Sequence, residues 1–513
     1  MTHVRREEKQ LALFLRISAF VYLAVGFAFL IVPGRLLWAF NWVSMRMLPA
    51  LPLTPIGMER FWTALAFSMM MTITGICFVA QRNIRKRKHL VILLLLSKCA
   101  SSLSAVFLFL LSTRYLSYLG IFAVDGTIFW MTLLFYIRAN KAFFEEQTFF
   151  LHRAPAVVRT TPPTTVVVRS GDDKMALLGQ VLDESGFFDV LERHFVASGK
   201  SRDDFRVVIK PNFMYMHSKR DHSTYTDPGL VESLVDRIVA RGFINVALVE
   251  AQSTYGNYYN NREVVKVAEY IGYSTKKNYH IVDLTEEMVP FDYGGRLGKH
   301  FVGPTWRDAD FRISFAKNKT HVFCHYTLTL KNIYGTLPLQ NKLKEYHTKR
   351  EYDWPTIETM KHFPVHFGLI DAIWSADGQF GVIVDPHPNH TKTMIAGESL
   401  IAVDWVGAKK MGLDPDAPGV GRFLPLAIEA FGRPERIDWV GDRLPYDPWI
   451  NVNEVYIKSL DLIEEAGAFS DWCFACLTAM DPYFTFKLQA LPVLAMRRVL
   501  APLKRLFFRH DAL

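Results

Sequence analysis

The sequence predicts an α/β protein with a mainly parallel sheet and helices on both faces, preceded by a bundle of four transmembrane helices. Long apolar runs occupy the first 140 residues, whereas the rest of the 513-residue chain alternates short strand-like segments with amphipathic helical ones. Charge is divided in the same way: residues 1–150 carry 16 Lys and Arg against 6 Asp and Glu, and the remainder is nearly neutral. These two observations predict a membrane part followed by a soluble part.

The basic net charge of +9 does not point to nucleic acid. It comes from the membrane part, and the soluble part has no basic excess with which to neutralise a phosphate backbone. Five cysteines do not form a disulfide framework in a chain of this length, and Cys77 and Cys99 lie inside apolar runs. We therefore expect no nucleic-acid partner and a reducing compartment.

Four apolar runs are long enough to cross a hydrocarbon core, which takes about 20 helical residues. These runs are 11–32, 61–80, 90–112 and 116–137. Lys and Arg are concentrated before the first run, in the loop 81–89 and directly after the fourth run. The positive-inside rule then predicts a multi-pass protein of the cytoplasmic (inner) membrane, with the N-terminus and the soluble domain in the cytoplasm.

Two charges are predicted inside the membrane. Lys98 lies in the third run and Asp125 in the fourth, and each is costly there unless it is paired. The antiparallel crossings bring the two to similar depths, within reach of a lysine side chain. Two interpretations remain: a structural ion pair that fixes the bundle, or part of a path for a proton or ligand.

The soluble part is predicted to have three segments. Residues 151–165 form a Pro- and Thr-rich linker, residues 166–442 an α/β domain, and residues 443–513 an extension whose basic apolar tail is suited to a membrane surface. Strands are predicted at 166–170, 205–210, 244–251, 279–284, 310–316, 368–373, 393–397 and 436–441. Helices are predicted near 174–197, 227–241, 261–271, 328–334 and 400–411.

Polar side chains follow several predicted strands, where sites in parallel sheets are built. They are Lys210 and Asn212, Glu250, Lys319 and His321, and Asp371. Lys331 and Asn332 follow on the next helix, on which Thr327 and Lys331 would share a face. Such a cationic cluster suits a phosphate or carboxylate. The alternative is that Lys331 forms a structural ion pair with Asp371 or Asp404.

Other motifs give weaker indications. His321, His325 and His347 are candidate metal ligands, because the first two would lie one turn apart if the helix began early. Cys473 and Cys476 form a single CxxC, for which redox and metal roles both need a second pair or a suitable fold. No glycine-rich loop joins a strand to a helix in a nucleotide-binding pattern. The metal and the cofactor therefore stay unassigned.

A series of blocks resembles the family of domains of unknown function numbered 362. The blocks are KPN at 210–212, TDPGLVESLVDRIVARG, KTH at 319–321, TLTLKNIYGTLP, LIDAI, GQFG and IAGESLIAVDWVGAKKMG. The resemblance covers roughly residues 165–442. It marks as motif positions Lys210, Asn212, Lys319, His321, Lys331, Asn332, Gly335, His347, Asp371 and Asp404. Gly335 also follows the short helix, where a left-handed cap would suit glycine.

The resemblance implies redox or anaerobic chemistry, because members of the family often carry an iron–sulfur ferredoxin module beside this domain. This chain departs from that pattern, since Cys473 and Cys476 are too few for a four-cysteine cluster.

The residues together suggest an enzyme that acts on an anionic small molecule. We expect Lys319, Lys331 and Asn332 to hold the anion near Lys210 and Asn212, and His321 or His347 to act as acid or base. Asp371 and Asp404 would orient these groups or hold a metal. The alternative is a non-catalytic module that senses a ligand or docks a redox protein at the membrane.

Overall fold

This computed structural model divides the chain into two compact units, Met1–Ala156 and Val157–Leu513. The structure describes residues 6–56, 60–82, 84–151, 159–274, 278–295, 297–321, 324–348, 353–378, 387–417, 420–452 and 480–487. Cys473, Cys476 and the predicted interfacial tail therefore lie outside the described residues.

The first unit is helical. Its helices are α1 Arg6–Ile31, α2 Pro33–Met47, α3 Arg60–Ala80, α4 Ile84–Leu111 and α5 Leu116–Leu151. Four of them, α1, α3, α4 and α5, contain spans long and apolar enough to cross a membrane, as the sequence predicts. Helix α2 was not predicted because it is too short to span. Pro33 occupies its first turn, where a missing N–H costs nothing.

The predicted intramembrane charges form an ion pair. Lys98 Nζ lies 3.1 Å from Asp125 Oδ1, and the Lys98 side chain is 2% exposed. Ser101 Oγ donates to the other carboxylate oxygen at 2.5 Å. The pair links α4 to α5, and both carboxylate oxygens have a donor.

The second unit contains fourteen strands and nine helices among its described residues. The strands are β1 Thr160–Thr161, β2 Thr164–Ser170, β3 Val207–Lys210, β4 Val246–Glu250, β5 His280–Asp283, β6 Val289–Asp292, β7 Lys299–Val302, β8 Phe311–His321, β9 His325–Thr327, β10 Phe367–Asp377, β11 His387–Asn389, β12 Thr393–Gly397, β13 Arg433–Pro434 and β14 Ile437–Gly441. The helices are α6 Lys174–Glu184, α7 Phe187–Ser198, α8 Pro228–Val239, α9 Val264–Ile271, α10 Pro304–Arg307, α11 Thr329–Asn332, α12 Asp353–His362, α13 Leu400–Lys410 and α14 Phe423–Phe431.

The central sheet has the strand order β14-β2-β12-β10-β8-β3-β4-β5. Along this path β12 alone runs antiparallel to its neighbours, and all other pairs are parallel. Alternate residues of β3 and β4 pack on opposite faces: Val207 and Leu248 contact a core that includes α6 to α9, whereas Val208 and Val249 contact one that includes α11, α12 and α14. The predicted fold class is confirmed.

The helix predicted over 174–197 is two helices. Gly186, with φ of +67°, separates α6 from α7, because this left-handed conformation suits glycine and interrupts the helix. Asp173 caps α6 by accepting hydrogen bonds from the N–H groups of Met175 and Ala176.

Strand β8 is longer than predicted. Lys317 to His321 were expected to follow the strand, but they belong to it and the last three pair with the antiparallel strand β9. His321 therefore lies opposite His325 across a strand pair, so the prediction of a shared helical turn is wrong. Thr327 ends β9 before α11 begins at Thr329, so it does not share a helix face with Lys331.

Candidate functional site

The site begins where β3 and β4 end side by side. Lys210 is fully buried, and its Nζ lies 2.7 Å from Glu250 Oε1. The ammonium also donates to the Pro211 carbonyl at 2.7 Å and to Asn332 Oδ1 at 3.3 Å. Burial lowers the pKa of Lys210, and Glu250 opposes that shift. The parallel register places these opposite charges next to each other.

Two asparagines connect this ion pair to Lys319. Asn332 Oδ1 accepts from Asn212 Nδ2 at 3.0 Å, and Asn212 Oδ1 accepts from Lys319 Nζ at 2.6 Å. Asn332 Nδ2 donates to the Lys210 carbonyl at 2.7 Å and to Ser314 Oγ at 3.2 Å. The network joins the loop after β3, the strand β8 and the helix α11, which sequence reasoning placed at one sheet edge.

Lys319 has no acidic partner among the residues that the structure describes. Its Nζ also donates to the Thr224 carbonyl at 3.0 Å, and the residue is 3% exposed. Within the described part of the chain, no carboxylate lies within 4 Å of this nitrogen. Burial lowers the pKa of Lys319 to about 7, and nearby Lys331 lowers it further while Glu250 opposes the shift.

Two more lysines are buried in the same region. Lys331 Nζ lies 4.2 Å from the ring centroid of Tyr334, and burial lowers the pKa of Lys331 to about 8. Lys342 donates to the Leu337 carbonyl, and burial lowers its pKa to about 7. Glu250 opposes the shift at both lysines. No carboxylate among the described residues lies within 4 Å of Lys342.

Lys317 and Asp371 form a separate buried ion pair. Their charged atoms are 2.9 Å apart, and both side chains are essentially inaccessible. Asp371 also accepts from the backbone N–H groups of Asp227 and Ile373, at 2.9 and 3.0 Å. Its two oxygens are thus fully used in holding β8, β10 and the start of α8 together.

Asp404 caps the helix that carries Lys331 and Asn332. Its oxygens accept from the Thr329 backbone at 2.7 Å, the Thr329 hydroxyl at 2.5 Å and the Leu330 backbone at 3.1 Å. Burial raises the pKa of Asp404 to about 7, and these bonds oppose the shift. Asp371 thus binds Lys317, and Asp404 binds Thr329 and Leu330 at the start of α11.

Gly335 does not adopt the expected left-handed cap, since its φ is not positive. It lies instead against the buried ion pair. A Cβ at this position would be 2.5 Å from Lys210 Nζ and 2.8 Å from Glu250 Oε2. The Gly335 carbonyl also accepts from the Ala251 N–H at 3.1 Å. Glycine is required here by close approach, which sequence position alone could not indicate.

The two histidines proposed as acid or base lie in different elements. His321 is half-buried at the end of β8, two residues from Lys319. His347 lies in the π-helical segment Leu343–Thr348, but its side chain is outside the described residues. In the described portion of the chain, no group of three or more His, Cys, Asp or Glu side chains is placed to hold a metal ion.

Sequence reasoning left two residues out of the site. Glu250 was noticed at the end of its strand, yet it was not assigned to Lys210, because the sequence alone does not fix which strands are neighbours. Lys342 follows Pro338 in a polar stretch with no regular period. Nothing in its local pattern signals burial.

Comparison with known families agrees with the resemblance in the sequence. Residues 207–409 match the family described as Domain of unknown function (DUF362). Comparisons with curated proteins and with solved structures find no match to the chain. The matched region starts in β3 and ends in α13, so it contains all of the site residues described above. The region that carries this lysine-rich site, residues 207–409, therefore matches the DUF362 family model.

Proposed function

We propose that the chain is a membrane-anchored enzyme whose DUF362 domain binds and converts an anionic small molecule. One observation carries the proposal: Lys319 and Lys342 are both buried, and no described carboxylate lies within 4 Å of either. Lys210 and Lys317, by contrast, each lie within 3 Å of an acidic oxygen. Among the described residues, the site therefore contains more buried lysines than carboxylates placed to pair with them.

A buried ammonium that lacks a counter-ion is costly, and a bound anion would offset that cost. Phosphate and carboxylate oxygens accept charge-assisted hydrogen bonds from lysine, and these bonds are strong in a dry environment. Lys319, Lys331 and Lys342 would hold the anion. Asn332, whose amide is engaged on both sides, would position Lys210 and Asn212. His321 or His347 would transfer protons.

The proposal also states which side of the membrane the N-terminus and the DUF362 domain face. The basic residues near the N-terminus, in 81–89 around the start of α4, and after the last span favour a cytoplasmic N-terminus and a cytoplasmic DUF362 domain in the inner membrane. Cysteine labelling at Lys141, after the last span, and at Arg114, between the last two spans, tests this. Labelling of the Arg114 position from the cytoplasm would contradict the proposed orientation.

Anion binding is tested on the full-length protein in detergent. Inorganic phosphate and citrate should raise the midpoint of thermal unfolding relative to chloride at equal ionic strength, because a ligand that binds only the folded state stabilises it. Lys342→Gln should abolish the increase. Lys361→Gln, at a half-exposed lysine paired with Glu358, is the matched control and should preserve it. No response to any anion in the wild type would contradict the proposal.

Catalysis is tested by complementation of a strain that lacks the protein. Lys331→Ala and His321→Ala should fold, assemble in the membrane and fail to complement. If both variants fold and support wild-type growth, the assignment of these residues is wrong.

A redox or metal link is a separate proposal that follows from the family resemblance. Elemental analysis and an absorption spectrum of the full-length protein, purified without oxygen, test it. Stoichiometric iron or another transition metal would support it and would direct attention to the histidines and to Cys473 and Cys476. A colourless, metal-free protein that still binds phosphate would favour lysine-held anion chemistry.

A further inference from the structure

We propose that Lys319 is an amine nucleophile that condenses with the carbonyl group of the anionic substrate to form an imine. This inference rests on the proposed anion site and adds a substrate class to it: a carbonyl compound that carries a carboxylate or phosphate group.

The hydrogen bonds of Lys319 fit a neutral amine. Both of its partners, Asn212 Oδ1 and the Thr224 carbonyl, are acceptors, at 2.6 and 3.0 Å. A neutral amine has two N–H bonds, which these acceptors satisfy, and keeps one lone pair directed away from them. Lys317, two residues earlier on the same strand, instead contacts the carboxylate of Asp371 at 2.9 Å. Lys319 is therefore held by two neutral acceptors, whereas Lys317 is held by a carboxylate.

The surrounding charges act in the same direction. Lys331, Lys317 and Lys210 all disfavour a proton on Lys319, and Glu250 is the acid that opposes them. With its pKa near 7, about half of the Lys319 amine is free at neutral pH, whereas an ordinary lysine is almost wholly protonated. A desolvated lysine beside another cation is one of the known ways in which proteins activate an amine nucleophile.

Thr327 supplies a second, independent observation. It lies directly opposite Lys319 in the β8–β9 ladder, so both side chains project from the same side of the strand pair. The Thr327 hydroxyl is buried and has no hydrogen-bond partner among the described residues. A hydroxyl in this position can donate to an oxygen on a molecule bound next to Lys319.

The reaction is balanced without a further reactant. The Lys319 lone pair attacks the carbonyl carbon, and a C–N bond forms as the carbonyl oxygen takes up a proton. The resulting carbinolamine loses its hydroxyl group as water, which leaves an imine. Overall, one amine and one carbonyl give one imine and one water. Lys331 and Lys342 would hold the substrate's anionic group, and burial would limit hydrolysis of the imine.

The test is reductive trapping on the full-length protein in detergent. Pyruvate, dihydroxyacetone phosphate or acetone is added with cyanoborohydride at pH 7, and modified lysines are located by peptide mass spectrometry. With the two anionic carbonyls, Lys319 should be modified at least about tenfold faster than exposed Lys361, because its free-amine fraction is far larger. Acetone, which carries no anionic group, should show little preference for Lys319.

Three further measurements make the test decisive. The rate of modification at Lys319 should level off above pH 7, whereas that at Lys361 should keep rising. Thr327→Val should slow trapping at Lys319 without changing it at Lys361. Lys319→Arg should lose the adduct, because a guanidinium group does not condense with these carbonyl compounds under the same conditions. If phosphate stabilises the wild type but Lys319 is modified no faster than Lys361, the imine is refuted and the anion site stands. If phosphate has no effect either, both proposals fail.

Discussion

The two units of the chain bury lysine in different ways. In the membrane unit, Lys98 is matched by one carboxylate, Asp125, whose second oxygen is satisfied by Ser101. At the sheet edge of the second unit, Lys210 and Lys317 are matched similarly, but Lys319 and Lys342 have no carboxylate partner among the described residues. A buried ion pair has no net charge and holds two elements together. A buried lysine without an acidic partner would instead be stabilised by a bound anion.

The comparison predicts that acids in matched pairs matter most for stability. Asp371→Ala should lower the free energy of unfolding by about 3–5 kcal/mol, because it leaves Lys317 charged and buried without a partner. Lys319→Met should cost less than about 1 kcal/mol or be stabilising, since it removes a buried amine that has no acidic partner among the described residues. Urea unfolding of the full-length protein, followed by tryptophan fluorescence, measures both.

The double variant Lys317→Met/Asp371→Leu serves as a control and should be more stable than Asp371→Ala alone. If Lys319→Met were as destabilising as Asp371→Ala, the distinction between matched and unmatched lysines would be wrong.

A second prediction concerns the close approach at Gly335. Gly335→Ala should destabilise the domain by about 1–3 kcal/mol, because its methyl group would overlap Lys210 and Glu250. Gly171→Ala is the control, because a Cβ at Gly171 would make only an ordinary contact at 3.5 Å. Gly412→Ala would not serve, since the positive φ of Gly412 strains any other residue. Urea unfolding that gave equal stability for the two variants would contradict the packing argument.

A third prediction concerns how the free energy of unfolding changes with pH. Lys319 and Lys342 have pKa values lowered to about 7, so the unfolded chain binds more protons than the folded one between about pH 7 and 10. Stability should therefore rise with pH in this window, by up to about 1.4 kcal/mol per pH unit for each lysine. Lys319→Met should remove one lysine's share of this slope.

Asp404 has the opposite effect below neutrality. Its pKa is raised to about 7, so its contribution to stability is lost as pH rises from about 4 to 7.

Phosphate binding at pH 8 should also be accompanied by proton uptake, because an anion favours the charged lysines. Calorimetry in buffers of different ionisation enthalpy measures this uptake, and a value of zero would argue against lysine-held anions.

The smallest effect is expected in the membrane unit. A double-mutant cycle on Lys98→Met and Asp125→Leu should give a coupling energy of about 0.6–1.7 kcal/mol, the usual range for polar contacts between membrane helices. The cycle also separates the two classes of function. A tethered enzyme should keep complementing with both residues replaced, whereas a sensor coupled through the helices should lose signalling although it still binds phosphate.

Local pattern was enough to predict most elements. The spans α1, α3, α4 and α5 follow from apolar length, and the core strands follow from short Val- and Ile-rich runs between turns. The wrong predictions occur where the local sequence pattern gives no signal. Helix α2 is too short to register as a span, and β8 runs on through Lys317 and Lys319 because β9 pairs with its end. Where a strand ends depends on the strand it pairs with, and the residues of one strand do not identify that partner.

By itself, the sequence determined the division into a part with four possible membrane spans and an α/β part, the α/β class, and the convergence of Lys210, Asn212 and Lys319 on one sheet edge. These follow from periodicity, composition and the geometry shared by all parallel sheets. Only the tertiary structure decided which lysines have acidic partners, why Gly335 must be glycine, and that Lys342 joins the site. Those facts depend on distances of a few ångströms between residues far apart in the chain, and electrostatic energy in a dry interior changes steeply over such distances.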